Sequence, residues 1–141
     1  MYSYKKIGNK FVLSLRNGAE IVKSLNQFCS ELSIKSGVIH GIGSVDQARL
    51  RFFNAKTKQY DTKLFEEPME IANLTGNISK YNKDVYLHIH ITLGCADYRA
   101  LAGHLLSGTI SGTGEFVIED FDADLMRHYN SEMGLNYYDF E

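Results

Sequence analysis

Three histidines give the strongest chemical signal in the sequence. Residues 85–93, VYLHIHITL, alternate between two sets of side chains, which is the period of a β-strand. His88 and His90 therefore share one face, about 7 Å apart at their Cα atoms, and both rings can reach one metal ion. The alternative is that both are half-buried polar residues that hydrogen-bond across a sheet.

His104, in the segment LAGHLLSG, is the candidate third ligand, because the stretch 94–103 is short enough to return the chain beside the same strand. Three neutral imidazoles with an open fourth position suit zinc best, and nickel, copper and iron accept the same ligand type. The fourth position would hold water or a small molecule. Neutral imidazoles are required for ligation, so the ion should be released as pH falls through about 6.5.

Glu115 is the candidate catalytic group, because a carboxylate can orient water or a substrate at the fourth metal position. Asp97 and Cys95 are alternatives for a supporting or extra ligand, although a loop Asp and a buried Cys are more often structural. His40 and His128 have no paired spacing and are interpreted as structural or solvated residues.

Other catalytic signatures are absent from the sequence. Two glycine-rich segments, residues 41–44 and 107–115, match neither GxGxxG nor GxxxxGK[ST], so tight strand corners explain them better than phosphate binding does. There is no GxSxG motif and no CxxC spacing. Covalent catalysis and a cysteine-based zinc site therefore have no support.

The elements that position the histidines are predicted to be mainly strands. Gly8 and Asn9 divide residues 2–16 into an opening hairpin. Asn17 and Glu20 fit a capping box, and apolar residues at helical spacing follow, which predicts one long helix over residues 18–33. Further strands are predicted near 37–43, 45–54, 60–66, 70–80, 85–93 and 109–120. Residues 122–133 are predicted to form a short C-terminal helical segment, and the fold class is therefore α+β with a mainly antiparallel sheet.

Composition narrows the class of protein. At 141 residues, with 44% apolar and 23% charged residues, the chain fits a single globular domain over residues 1–141. The net charge of −2 makes direct DNA binding an unfavoured function. No apolar run approaches the ~18 residues of a membrane span, and the two cysteines are expected to be free thiols in a reducing compartment. The predicted location is cytoplasmic.

Three segments together resemble the PPC (plant and prokaryote conserved) domain family, which follows AT-hooks in plant nuclear proteins and occurs alone in prokaryotes. They are GIGSVDQARLRFFN (41–54), LHIHITLG (87–94) and AGHLLSGTISGTGEFVI (102–118). The resemblance covers nearly the whole chain and implies an antiparallel sheet with flanking helices in a homotrimer. In the plant proteins the DNA contacts come from the AT-hook, and this sequence contains no such segment.

Three functions remain open from the sequence. The first is a homotrimer that binds a divalent transition metal, with zinc preferred, through His88, His90 and His104, either structurally or with a small-molecule ligand at the metal. The second is an oligomerisation or protein-interaction module without metal. The third is a DNA-associated regulator that acts through a partner.

Overall fold

The computed structural model describes residues 1–140, and most of them lie in nine strands around one helix. In chain order the elements are β1 (Tyr2–Ile7), β2 (Lys10–Arg16), α1 (Ile21–Glu31), β3 (Gly37–Asn54), β4 (Gln59–Phe65), β5 (Met69–Tyr81), β6 (Asp84–Cys95), β7 (Ala100–Asp120), β8 (Met126–Asn130) and β9 (Leu135–Tyr138). The predicted opening hairpin is present, since β1 and β2 pair antiparallel around the turn at Gly8 and Asn9.

Four strands form a closed ring, because each of β3, β5, β6 and β7 pairs with two of the others. β3 pairs antiparallel with both β5 and β7, and β6 also pairs antiparallel with both β5 and β7. β2 extends the sheet from β7, β1 extends it from β2, and β4 pairs with β3. The long strands β3 and β7 remain paired past several register shifts, which are the β-bulges that allow such strands to bend.

The apolar core lies between one face of this sheet and α1. The helix buries residues at helical spacing, namely Ile21, Ser24, Leu25, Phe28 and Cys29. In β2 the buried residues alternate with exposed ones, as a strand with one covered face requires. The other face of β2, β7 and β3 has no covering element among residues 1–140, and Val12, Ile42 and Val117 are exposed there.

The predicted α+β class with a long helix over residues 18–33 is wrong: 67% of the chain is strand and 8% is helix. The helix begins at Ile21 because Glu20, rather than Asn17, is the N-cap and accepts hydrogen bonds from Val22 N and Lys23 N. Asn17 instead accepts a hydrogen bond from the backbone of Gly112 at 2.8 Å. Backbone hydrogen bonds of Gly18 and Ala19 with Ile110, together with the bridge between Glu20 and Thr109, thus hold the residues before the helix against β7.

The predicted C-terminal helical segment is also wrong. β8 and β9 form an antiparallel hairpin in that region, and β8 pairs in parallel with the end of β5. Gly134 has a φ of +72°, and the Asn130 side chain accepts a hydrogen bond from Met133 N at 3.0 Å, so this segment turns where a helix would have continued. Among residues 1–140, no helix is long and apolar enough to cross a membrane.

Candidate metal centre

The β6–β7 hairpin brings the three histidines together. His90 on β6 is directly opposite His104 on β7 in the antiparallel ladder, and directly opposite residues project from the same face of a sheet. His88 precedes His90 by two residues and shares that face. His104 therefore lies on a strand, although the sequence placed it on the return from a loop: only residues 96–99 separate β6 from β7.

The side chains converge to the distances that a metal site needs. The ring centroid of His88 lies 5.1 Å from the ring centroids of both His90 and His104. The ring centroids of His90 and His104 are 5.4 Å apart. One nitrogen from each ring can be chosen so that all three lie within 4.8 Å of one another. Nitrogens bound tetrahedrally to one zinc ion at about 2.1 Å are about 3.4 Å apart. Small side-chain rotations would therefore let these donors fit a metal ion.

The surroundings keep two of these imidazoles neutral. Burial, followed by the positive charge of Arg127, lowers the pKa of His88 to about 4. Burial, followed by the positive charge of Arg51, lowers the pKa of His104 to about 3. Since a metal ion binds the neutral form of imidazole, both side chains are in the state that ligation requires at neutral pH.

Two arginines contact the histidine cluster, and sequence reasoning gave neither a role there. Arg51 lies opposite His104 in the β3–β7 ladder, and its Nη2 is 3.1 Å from His104 Nε2. Arg127, on β8, has its Nη2 3.5 Å from His88 Nδ1. Each guanidinium also stacks on a tyrosine ring. The distance from Cζ to the ring centroid is 4.1 Å for Arg51 on Tyr60 and 4.2 Å for Arg127 on Tyr138.

The histidines open into a cavity of about 690 Å³. Strands β3, β4, β6, β7 and the C-terminal hairpin all contribute to its wall. Apart from the three histidines and one arginine, its lining consists of uncharged residues, many of them aromatic. The lining residues are Arg51, Phe52, Phe53, Tyr60, Tyr86, His88, His90, Ala102, Gly103, His104, Tyr129, Gly134, Leu135 and Asn136. A volume of this size is typical of small-molecule sites.

The structure places the other sequence candidates elsewhere. Glu115 is exposed on β7, eleven residues beyond His104, which corresponds to about 35 Å of strand. Cys95 is the last residue of β6, seven residues beyond His88, and Asp97 lies in the turn that follows, where it pairs with Arg99 at 3.1 Å. His40 is separated from His90 by the β5 residue between them in the ladder.

His128 is exposed on β8 and is not part of the histidine cluster.

Comparisons with solved structures reveal the same fold across bacteria and archaea. A crystal structure of a candidate DNA-binding protein from Bacteroides thetaiotaomicron is 61% identical, with a TM-score of 0.97 over 99% of this chain and 98% of that one. A metal-containing protein from Archaeoglobus fulgidus is 29% identical, with a TM-score of 0.86 over 98% and 97%. A plant- and prokaryote-conserved (PPC) protein from Pyrococcus horikoshii shares the fold at 23% identity, with a TM-score of 0.85 over 99% and 94%.

No protein among those with curated descriptions matches the sequence. Residues 2–122, which include all three clustered histidines, match the Plants and Prokaryotes Conserved (PCC) domain. This match confirms the resemblance that the sequence motifs indicated. The chain belongs to the Plants and Prokaryotes Conserved domain family.

Proposed function

We propose that this chain is a homotrimeric metal-binding protein that holds one divalent transition-metal ion through His88, His90 and His104. The observation that carries the proposal is the convergence of the three rings, with one nitrogen from each lying within 4.8 Å of the others. A relative of the same fold, 29% identical, is described as a metal-containing protein. Zinc is the preferred ion because three imidazoles with an open position form a common zinc donor set.

The cavity supports a role in small-molecule binding at the metal. A zinc ion held by His88, His90 and His104 would supply a Lewis acid for an oxygen of the bound molecule. The chain itself supplies an aromatic wall, since Tyr60, Tyr86 and Tyr129 line the cavity. Glu115 lies eleven residues beyond His104 on β7 and does not line the cavity, so we propose no catalytic role for it at the metal within one chain.

The uncovered sheet face supports the proposed trimer. Val12 and Val117 are direct partners in the β2–β7 ladder and are 44% and 40% exposed, and Ile42 on β3 is 56% exposed. An apolar sheet face that no element of its own chain covers is a common oligomer interface. Cys29 and Cys95 are buried free thiols, which supports our proposal of a reducing, cytoplasmic location.

Metal analysis tests the metal site directly. Protein purified without an affinity tag should contain about one zinc ion per chain, and His88→Ala, His90→Ala and His104→Ala should each lower metal affinity by at least about tenfold. His40→Ala is the matched control, because His40 lies on the same sheet face outside the cluster. A native metal content well below one per chain, or metal retained undiminished in all three variants, would reject the site.

A further inference from the structure

The cavity concentrates positive charge without any acidic partner. No aspartate or glutamate lines it, and neither Arg51 nor Arg127 makes an ion pair with a carboxylate among residues 1–140. A divalent ion on the histidines would add two further charges. Burying uncompensated cations is costly, so the arrangement favours a negatively charged occupant.

Arg127 is the buried member of this pair. Its side chain is 5% exposed, and its donors contact Ser79 Oγ at 2.9 Å and the Asn136 carbonyl oxygen at 3.2 Å. The third contact of Arg127 is with His88 Nδ1. All three acceptors around this guanidinium are therefore neutral. Because it lies behind His88 and does not line the cavity, its contribution to an occupant is charge, while its contact with His88 holds that ring in position.

Arg51 lines the cavity and presents an incomplete hydrogen-bonding edge. The Nε and Nη2 groups of a guanidinium form the side-on edge that pairs bidentately with a carboxylate. In Arg51 the Nη2 contacts His104 Nε2, while the Nε is buried and has no hydrogen-bond partner. A metal ion at His104 Nε2 would use the same lone pair that Arg51 Nη2 now contacts, so the guanidinium would have to move away from His104, and its whole edge would then have no protein partner.

The walls of the cavity indicate what the anion is attached to. Phe53, Tyr60, Tyr86 and Leu135 give an aromatic and apolar lining, which suits an organic body rather than a free inorganic ion. No lysine lines the cavity, and all the lining residues come from strands or the turn at Gly134. A phosphate cradle of helix N-terminal amides is therefore missing from this part of the chain.

We infer that the cavity binds a small organic carboxylate with an apolar or aromatic body, whose carboxylate pairs with the Nε/Nη2 edge of Arg51 beside the metal. This inference rests on the proposed metal site. It assigns Arg51 as the residue that selects an anionic ligand, and it assigns Arg127 as a positioning residue for His88.

Calorimetric titration of zinc-loaded protein with benzoate tests the inference. Benzoate should bind with a Kd of about 1 mM or tighter, and benzamide, which has the same shape without the charge, should bind at least about tenfold more weakly. Phosphate should bind more weakly than benzoate. Absence of benzoate binding at 5 mM, or equal binding of benzoate and benzamide, would overturn the inference, and tighter binding of phosphate would overturn the choice of carboxylate.

Variants of Arg51 separate this inference from the metal site. Arg51→Gln and Arg51→Lys should keep the native zinc content and lose benzoate affinity by about tenfold or more, because lysine retains the charge but lacks the bidentate edge. Arg49→Gln, an exposed change on the same strand, should leave benzoate affinity unchanged. Native protein without zinc would contradict the metal proposal, whereas zinc-loaded Arg51→Gln that binds benzoate normally would contradict only the carboxylate site.

Discussion

His90 and His104 are direct partners in the antiparallel ladder between β6 and β7, so the backbone register of one hairpin places two of the three candidate ligands. His88 joins them through the strand period alone. The turn that connects β6 and β7 spans residues 96–99, and Tyr98, with a φ of +65°, donates its backbone N–H to Cys95 O at 2.8 Å. The histidine cluster therefore depends on a local hairpin rather than on distant loops.

The stability of the metal-free protein should fall as pH decreases from about 6.5 toward 4. The pKa values of His88 and His104 are lowered to about 4 and 3 in the folded chain, whereas unfolded histidines titrate near 6.5. Between these values the unfolded chain binds more protons, so protonation favours unfolding. Thermal unfolding of metal-free protein across this pH range measures the effect.

The matched control for this pH dependence is His128→Gln, which changes an exposed histidine outside the cluster. His88→Gln and His104→Gln should each flatten the loss of melting temperature between pH 6.5 and 4, and the control should not. An equal slope in all three variants would show that other groups cause the pH dependence. Since two ligands stay neutral below pH 6.5, we also expect the metal to be retained at lower pH than ordinary histidine ligands would allow.

The grouping of His88, His90 and His104 could be predicted from the sequence, but the fold class could not. Strict alternation around HIH revealed the strand and its shared face, and this local signal needs no tertiary information. The helix boundaries, in contrast, depend on tertiary contacts. Glu20 accepts hydrogen bonds from the helix amides and also from Gly108 N, 88 residues away, at 3.0 Å. Such long-range contacts decide between Asn17 and Glu20 as the cap, and no local pattern contains them.

The two arginines could not be found from the sequence for the same reason. Arg51 is 53 residues from His104 and Arg127 is 39 residues from His88, and each pair forms only through strand pairing across the sheet. Arg127 falls within the predicted C-terminal helical segment, because the strands of the C-terminal hairpin are only five and four residues long and give little alternation.

In solution the protein should have the mass of three chains. Val117→Lys should weaken this trimer, because it places an ammonium group among the exposed apolar side chains of Val12 and Ile42, where its burial at an interface would be costly. Leu64→Lys on β4, an exposed apolar position outside this face, is the control. Light scattering measures the mass, and a native monomer at all concentrations would contradict the proposed trimer.

The isolated protein should not bind duplex DNA with useful affinity. It carries 15 lysines and arginines against 17 aspartates and glutamates, and Arg51 is stacked on Tyr60 and turned toward His104. The resulting net charge of −2 gives the chain little electrostatic attraction to a phosphate backbone. Gel-shift titration at physiological salt measures the affinity. Submicromolar binding that Arg49→Ala weakens would contradict this prediction.

The C-terminal hairpin should be dispensable for folding and metal binding but not for the acid resistance of the site. The family match ends at residue 122, and the buried apolar residues all lie between Phe11 and Ile118. A chain that ends at Asp124 therefore keeps the core, the histidine cluster and the hydrogen bond from Ser36 Oγ to the Ala123 carbonyl at 2.6 Å. It should fold and bind about one zinc ion per chain at pH 7.5.

Removal of residues 125–141 eliminates Arg127 and exposes the ring of His88. Both causes that most strongly lower the pKa of His88, its burial and the charge of Arg127, are then weakened, so its pKa should rise toward 6.5. Protons will compete with the metal at higher pH, and the shortened chain should release zinc at a higher pH than the full chain does. Zinc retained after dialysis from pH 7.5 to 4.5 measures this shift, and Arg127→Met in the full chain should reproduce part of it. Identical release curves for all three proteins would mean that neither Arg127 nor the hairpin tunes the site.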